Sequence, residues 1–170
     1  MVEKHRGPPG PRFYFGGISV EISAQTGRGT IPGCKQRGEW AELVFMARAV
    51  ERGLAVSRPH GDSTHYDVGV EHAGRFSRVQ VKSTTFSRKG SFTCNILGPQ
   101  RKPYAPGLLD FFAIYLVPVD LWYIIPFVIA TGNLSLNLTP RQGHKFAQYM
   151  EAWNLMTCAD LQKSFNKLSS

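Results

Sequence analysis

A chain of 170 residues with 42% apolar and 19% charged positions has the balance of a globular protein, large enough for one domain with a core and too short to make two likely. Its 20 Lys and Arg against 12 Asp and Glu leave a net charge of +8, which favours a nucleic-acid partner over an acidic small molecule. Cys34, Cys94 and Cys158 form no Cys-x-x-Cys pair and exclude a disulfide framework, so a reducing, cytoplasmic setting is expected. His60 and His65 lack a second ligand pair for zinc. The amino terminus has no apolar leader core, and Pro126 interrupts the longest apolar run, so neither secretion nor a membrane span is expected.

Residues 1–33 are dense in Gly and Pro and read as a flexible basic arm, with a short added strand expected between Phe13 and Ile22. A domain over 34–170 follows. Its first element is a helix from about Gln36 to Arg52, with Trp40, Leu43, Val44, Ala47 and Val50 as the apolar stripe and Gly53 as the stop. A short strand, Leu54 to Ser57, leads into the loop Pro59-His60-Gly61-Asp62-Ser63. Tyr66 to Val70 and Phe76 to Thr85 alternate polar and apolar residues around an Ala73-Gly74 turn, the pattern of a β-hairpin. A strand at Ser91 to Leu97 and a basic Pro/Gly loop come next. Phe111 to Val117 and Leu121 to Ile129 are apolar enough for central strands, with Pro126 breaking the second or marking an edge. A closing helix is expected from about Gly143 to Phe165, with Phe146, Tyr149, Met150, Trp153 and Leu161 on its apolar face. This order implies an α/β fold, a mixed sheet flanked by helices.

The hairpin carries the chemistry. Alternation puts Gln80 and Lys82 on one face of the second strand and Val79 and Val81 on the other. Pairing of the strands would bring Asp67 to the Gln80-Val81-Lys82 end, joining a carboxylate, an amide oxygen and an ammonium. Oxygen ligands suit Mg²⁺, and a lysine can orient water toward a phosphodiester. A further carboxylate would complete such a site. The first helix offers Glu39, Glu42 and Glu51, and periodicity leaves both Glu39 and Glu42 able to face the sheet.

Taken together, Gly38-x-x-Ala41-Glu42 on a helix, Pro59-x-Gly61-Asp62-Ser63-x-x-Tyr66-Asp67 entering a strand, and Gln80-Val81-Lys82 resemble the PD-(D/E)XK nuclease superfamily, and within it the group I intron-associated homing endonucleases. That resemblance implies the restriction-endonuclease-like core. It favours Glu42 on the helix and implies catalytic roles for Glu42, Asp67, Gln80 and Lys82, with Asp67, Gln80 and Glu42 around the metal. Gln80 stands where the superfamily usually has a second acidic residue, as in the intron-associated branch. A Gln80→Glu change should therefore be tolerated and could tighten metal binding.

Ser83 and Thr84, and the loop residues Arg88, Lys89, Arg101 and Lys102, are candidates for contacting DNA phosphates. Asp110 reads as structural, and Trp122, Tyr123 and Trp153 as core or subunit-interface residues. The expected function is Mg²⁺-dependent hydrolysis of double-stranded DNA by a homo-oligomer, a dimer or a tetramer. A non-catalytic DNA-binding or assembly protein on a degenerate nuclease fold, or a Holliday-junction resolvase-like nuclease, is the alternative.

Overall fold

Helix α1, Cys34–Val50, ends where Gly53 takes a φ of +77°. That left-handed residue lets its own N–H reach Val50 O at 2.9 Å and the Leu54 N–H reach Ala49 O at 3.1 Å, so the last turn is closed by glycine. The computed structural model describes residues 33–61 and 64–157, together with the backbone of 13–15 and 18–20. The chain divides into units 1–31 and 32–170. In the first, β1 (Phe13–Phe15) pairs antiparallel with β2 (Ile18–Val20), where one short strand was expected. The rest of the expected arm before Gly33 lies outside the described residues, as do Asp62 and Ser63 of the loop motif.

In the second unit β3 (Ala55–Ser57), β4 (Val68–His72), β5 (Arg75–Thr84), β8 (Phe111–Leu116) and β9 (Leu121–Pro126) form a five-stranded sheet in the order β3-β4-β5-β8-β9. Ala73 and Gly74 have φ of 49° and 75°, the two positive values that a tight hairpin turn needs. They fix the antiparallel register Val68↔Val79 and Val70↔Ser77. β5 and β8 run parallel, Gln80 level with Phe112 and Lys82 with Ile114. The crossover between them holds β6 (Ser87–Arg88) and β7 (Ser91–Asn95), which join β10 (Ser135–Leu138) in a small second sheet. β9 stops at Pro126, where the short helix α2, Phe127–Ala130, begins.

The sheet is covered on both faces. Ala41, Phe45 and Ala49 of α1 pack with Val68, Val79, Val81, Ala113 and Tyr115 on one side. Phe92, Cys94, Leu136 and Leu138 pack with Phe112, Ile114, Leu116 and Ile125 on the other. Burial on both faces explains why β8 and β9 read as unbroken apolar runs. Trp122, Tyr123 and Trp153 are buried within the chain.

Two expected elements are corrected. The buried stripe of α1 is Ala41, Phe45 and Ala49, whereas Leu43 and Val50 are 55% and 57% exposed. The small alanines let the helix approach the sheet, and Phe45 fits between Trp122 and Trp153, at ring separations of 5.5 and 5.4 Å. The closing helix is absent over the described part of its range. Residues 143–157 contain only the single 3₁₀ turns Ala147–Tyr149 and Trp153–Met156. Glu151, at φ +51°, turns the chain onto the edge of β9. Its N–H donates to Trp122 O at 2.8 Å, and its carboxylate accepts from the Trp122 N–H and from Trp153 Nε1, both at 2.7 Å. Satisfying the backbone of an edge strand outweighs helical periodicity here. Residues 158–165, including Leu161, lie outside the described residues. Among the described residues no helix is long and apolar enough to cross a membrane.

Candidate active site

The hairpin register puts Asp67, one residue before β4, opposite Gln80. Its N–H donates to Val79 O at 3.0 Å. Its Oδ2 accepts the Val81 N–H at 2.8 Å and a hydrogen bond from Gln80 Nε2. The hairpin base is tight here: a Cβ on Gly69 would lie 2.4 Å from Phe76 Cζ and 2.7 Å from Ser57 Oγ. Burial pushes the Asp67 carboxyl above its usual pKa, against the pull of the Val81 N–H, Lys82, Gln80 and Arg58.

Lys82 extends from the same strand face as Gln80. Its Nζ donates to Leu97 O at 3.2 Å and to the Tyr104 hydroxyl at 3.4 Å, and it lies 5.6 Å from the centre of the Tyr104 ring. Burial lowers its pKa, opposed by the neighbouring Asp67 charge. Burial, with Asp67 as a second cause, pushes the Tyr104 hydroxyl up to about 12.

Glu42 follows Ala41 of the buried stripe, so the rotation of α1 turns it inward. Its Oε2 accepts a 2.6 Å hydrogen bond from the Arg58 guanidinium, and its side chain is 18% exposed. Burial raises its pKa first and the charge of Asp67 second, while Arg58 lowers it. The two carboxylates are thus close enough to repel each other. Both line a cleft of about 400 Å³, with Gly38, Glu39, Arg58 and Tyr66. Glu39 also lines the cleft, but it is 55% exposed and its ion-pair partner is Lys35 at 4.0 Å.

The structure therefore brings Glu42, Asp67, Gln80 and Lys82 together. The residues suggested for DNA contact are scattered. Arg88 and Lys89 are exposed at the β6–β7 turn, and Arg101 and Lys102 are exposed at the end of a short 3₁₀ turn, Pro99–Arg101. Ser83 is half-buried on the α1 side of β5 with Val81. Thr84 is a correction: it is 6% exposed, and its hydroxyl donates to Thr93 O at 2.8 Å and accepts the Phe86 N–H at 3.1 Å. A hydroxyl engaged on both sides inside the fold has no place on a phosphate surface. Asp110 accepts from the Arg78 N–H at 2.7 Å and from its Nε at 3.0 Å, fixing the entry to β8. Sequence reasoning placed neither Arg58 nor Tyr104 in the site. No spacing marks either residue, because each reaches the site from a separate loop or strand end.

The donor set suits a hard divalent cation. In each of Asp67, Gln80 and Glu42 only one terminus is engaged by a described residue: Oδ2, Nε2 and Oε2 respectively. One oxygen of each is left for a ligand, and a cation would relieve the carboxylate repulsion. Among the described residues no three of His, Cys, Asp and Glu converge. A third donor beside Glu42 and Asp67 would have to be the amide oxygen of Gln80.

Residues 33–156 match the PD-(D/E)XK endonuclease family. Among solved structures, a bacterial homing endonuclease is 26% identical, with a TM-score of 0.64 over 82% of this chain and 100% of that one. A Holliday junction resolvase from the archaeal hyperthermophile Archaeoglobus fulgidus is 15% identical, with a TM-score of 0.43 over 61% of this chain and 84% of that one. No curated protein gives a significant match. Helix, hairpin and crossover are all inside the matched span, and the chain belongs to the PD-(D/E)XK endonuclease family, most like its homing endonucleases.

Proposed function

We propose that this protein is a Mg²⁺-dependent endonuclease that hydrolyses phosphodiester bonds of double-stranded DNA. The observation that carries the reading is the convergence of Asp67, Gln80, Glu42 and Lys82 at one end of the β4–β5 hairpin. Asp67 and Gln80, with Glu42 from α1, would hold the metal. Bound there, Mg²⁺ would supply Lewis acidity toward the scissile phosphate and make a water more acidic. Val81 N–H and Gln80 Nε2 fix the orientation of the Asp67 carboxylate. Lys82, anchored on Leu97 O and the Tyr104 hydroxyl, orients the attacking water and offsets negative charge as it develops. Its burial moves the ammonium toward a pH at which it can exchange a proton, as a group in general acid–base work must.

Likeness to a homing endonuclease supports duplex DNA as the substrate. Arg88, Lys89, Arg101 and Lys102, with Ser83 at the strand end, would contact phosphates. A single domain of this size covers a short stretch of duplex, so recognition of a long site calls for a homo-oligomer, a dimer or a tetramer. The protein would comprise a basic arm over 1–33 and a nuclease domain over 34–170 and work in a reducing cytoplasm. Incubation with supercoiled plasmid and with a synthetic four-way junction, each with Mg²⁺ or with EDTA, tests the reading. Plasmid cleavage only with Mg²⁺ is expected. Cleavage of the junction alone would replace it with a resolvase. DNA binding without cleavage of either substrate would mark a non-catalytic protein.

A further inference from the structure

Arg58 holds a position that the proposed metal site leaves unexplained. It follows directly on β3, whose Ser57 pairs with Gly69, so the register carries it level with Val68 and beside Asp67. From there its guanidinium reaches across the cleft to Glu42 Oε2 at 2.6 Å. The pair is asymmetric: the Arg58 side chain is 52% exposed and that of Glu42 is 18% exposed. Glu42 is fixed on a packed helix, whereas Arg58 can swing into solvent without leaving a packed position. An arginine stays charged at any working pH, so it cannot yield the carboxylate by losing a proton. It has to move.

We propose that Arg58 is a resident counter-cation with which a metal ion must compete for Glu42, so that Arg58 sets the metal affinity of the site. The inference rests on the metal-site reading given above. Without metal, Arg58 offsets the repulsion between Glu42 and Asp67; its charge lowers the pKa of both. A pair this exposed holds weakly and gives way to a divalent ion, whose charge is twice as large. The remaining repulsion, one positive charge facing a divalent one at roughly 5–6 Å in a water-like dielectric, corresponds to about a tenfold change in binding constant.

The test is calorimetric titration of the full chain with Ca²⁺ and with Mn²⁺, without DNA and at low salt. Wild type, Arg58→Met and Arg58→Lys are compared, and Asp67→Asn identifies the heats that belong to this site. Arg58→Met keeps the length of the stem and removes the charge, and it should bind either ion about tenfold more tightly. Arg58→Lys keeps the charge and should stay within about threefold of wild type. Arg58→Gln gives the same reading as Arg58→Met should the latter lose its native circular dichroism. Unchanged or weaker binding by the uncharged variants, beside a wild type that binds metal, overturns the proposal while leaving the metal site standing. A wild type that binds neither ion overturns the metal site itself, and the role of Arg58 with it.

Discussion

Gln80→Glu exchanges an N–H donor for an anionic oxygen at the point where Gln80 Nε2 meets Asp67 Oδ2. The position is 8% exposed, so water cannot repair the loss. A hydrogen bond to a charged group contributes about 1.5–3 kcal/mol, and two carboxylates in contact cannot both ionise, so the metal-free variant must take up a proton. At pH 8 without metal the variant should be less stable by about 2–3 kcal/mol, a loss of roughly 5–10 °C in Tm for a chain of this size. The sign with pH follows from the raised folded-state pKa. A carboxyl of this kind contributes stability that is fully present below its unfolded pKa and is lost as pH rises through its folded one. The deficit should therefore close toward pH 4 and widen above it. Asp67 and Glu42, both raised with burial as the first cause, already have this sign in the wild type. Saturating Mg²⁺ should stabilise the variant more than the wild type, because the added carboxylate becomes a ligand. Tighter metal binding, expected from the sequence, thus holds only together with a weaker metal-free protein. Thermal unfolding from pH 4 to 9, with EDTA or with Mg²⁺, measures all of this. A variant as stable as wild type at pH 8 in EDTA would refute the Gln80–Asp67 contact.

Lys82→Ala should abolish cleavage while leaving DNA affinity within a few fold. Its Nζ is held by Leu97 O and the Tyr104 hydroxyl, and most affinity should come from scattered phosphate contacts; gel-shift titration in Ca²⁺ beside a cleavage assay shows which outcome holds. Thr84→Val should lower Tm through loss of bonds worth about 1–2 kcal/mol with no effect on DNA affinity, whereas weaker binding at unchanged Tm would return Thr84 to the DNA surface. The Arg88→Ala, Lys89→Ala double variant should reduce the slope of log K against log salt by about 2, and an unchanged slope would remove the β6–β7 turn from the interface.

The hairpin was the most legible part of the fold, because strand alternation and the Ala73-Gly74 turn specify register independently of the rest of the chain. That register alone places Asp67 opposite Gln80 and puts Lys82 on the same face. The helix was legible as a helix, but its orientation was not. Leu43 and Val50 outweigh Ala41 and Ala49 in apolarity, yet close approach to the sheet selects the small residues. Glu42 faces the cleft because of that rotation, which periodicity alone could not choose. The carboxy-terminal run misled for a different reason: Phe146, Met150 and Trp153 are apolar because they cover the sheet, and Glu151 satisfies the β9 edge where a helix would not. Arg58 and Tyr104 carried no signal, since what they do depends on partners 16 and 22 residues away in sequence.

The central claim is that Asp67 anchors a metal-dependent site for cutting DNA. The most direct measurement is cleavage of supercoiled plasmid in Mg²⁺ by wild type and by Asp67→Asn, a change that preserves shape and can keep the Val81 hydrogen bond. With native circular dichroism for both proteins, wild type should convert the plasmid to nicked and linear forms, and Asp67→Asn should leave it supercoiled. A folded Asp67→Asn protein that cuts at the wild-type rate would contradict the account.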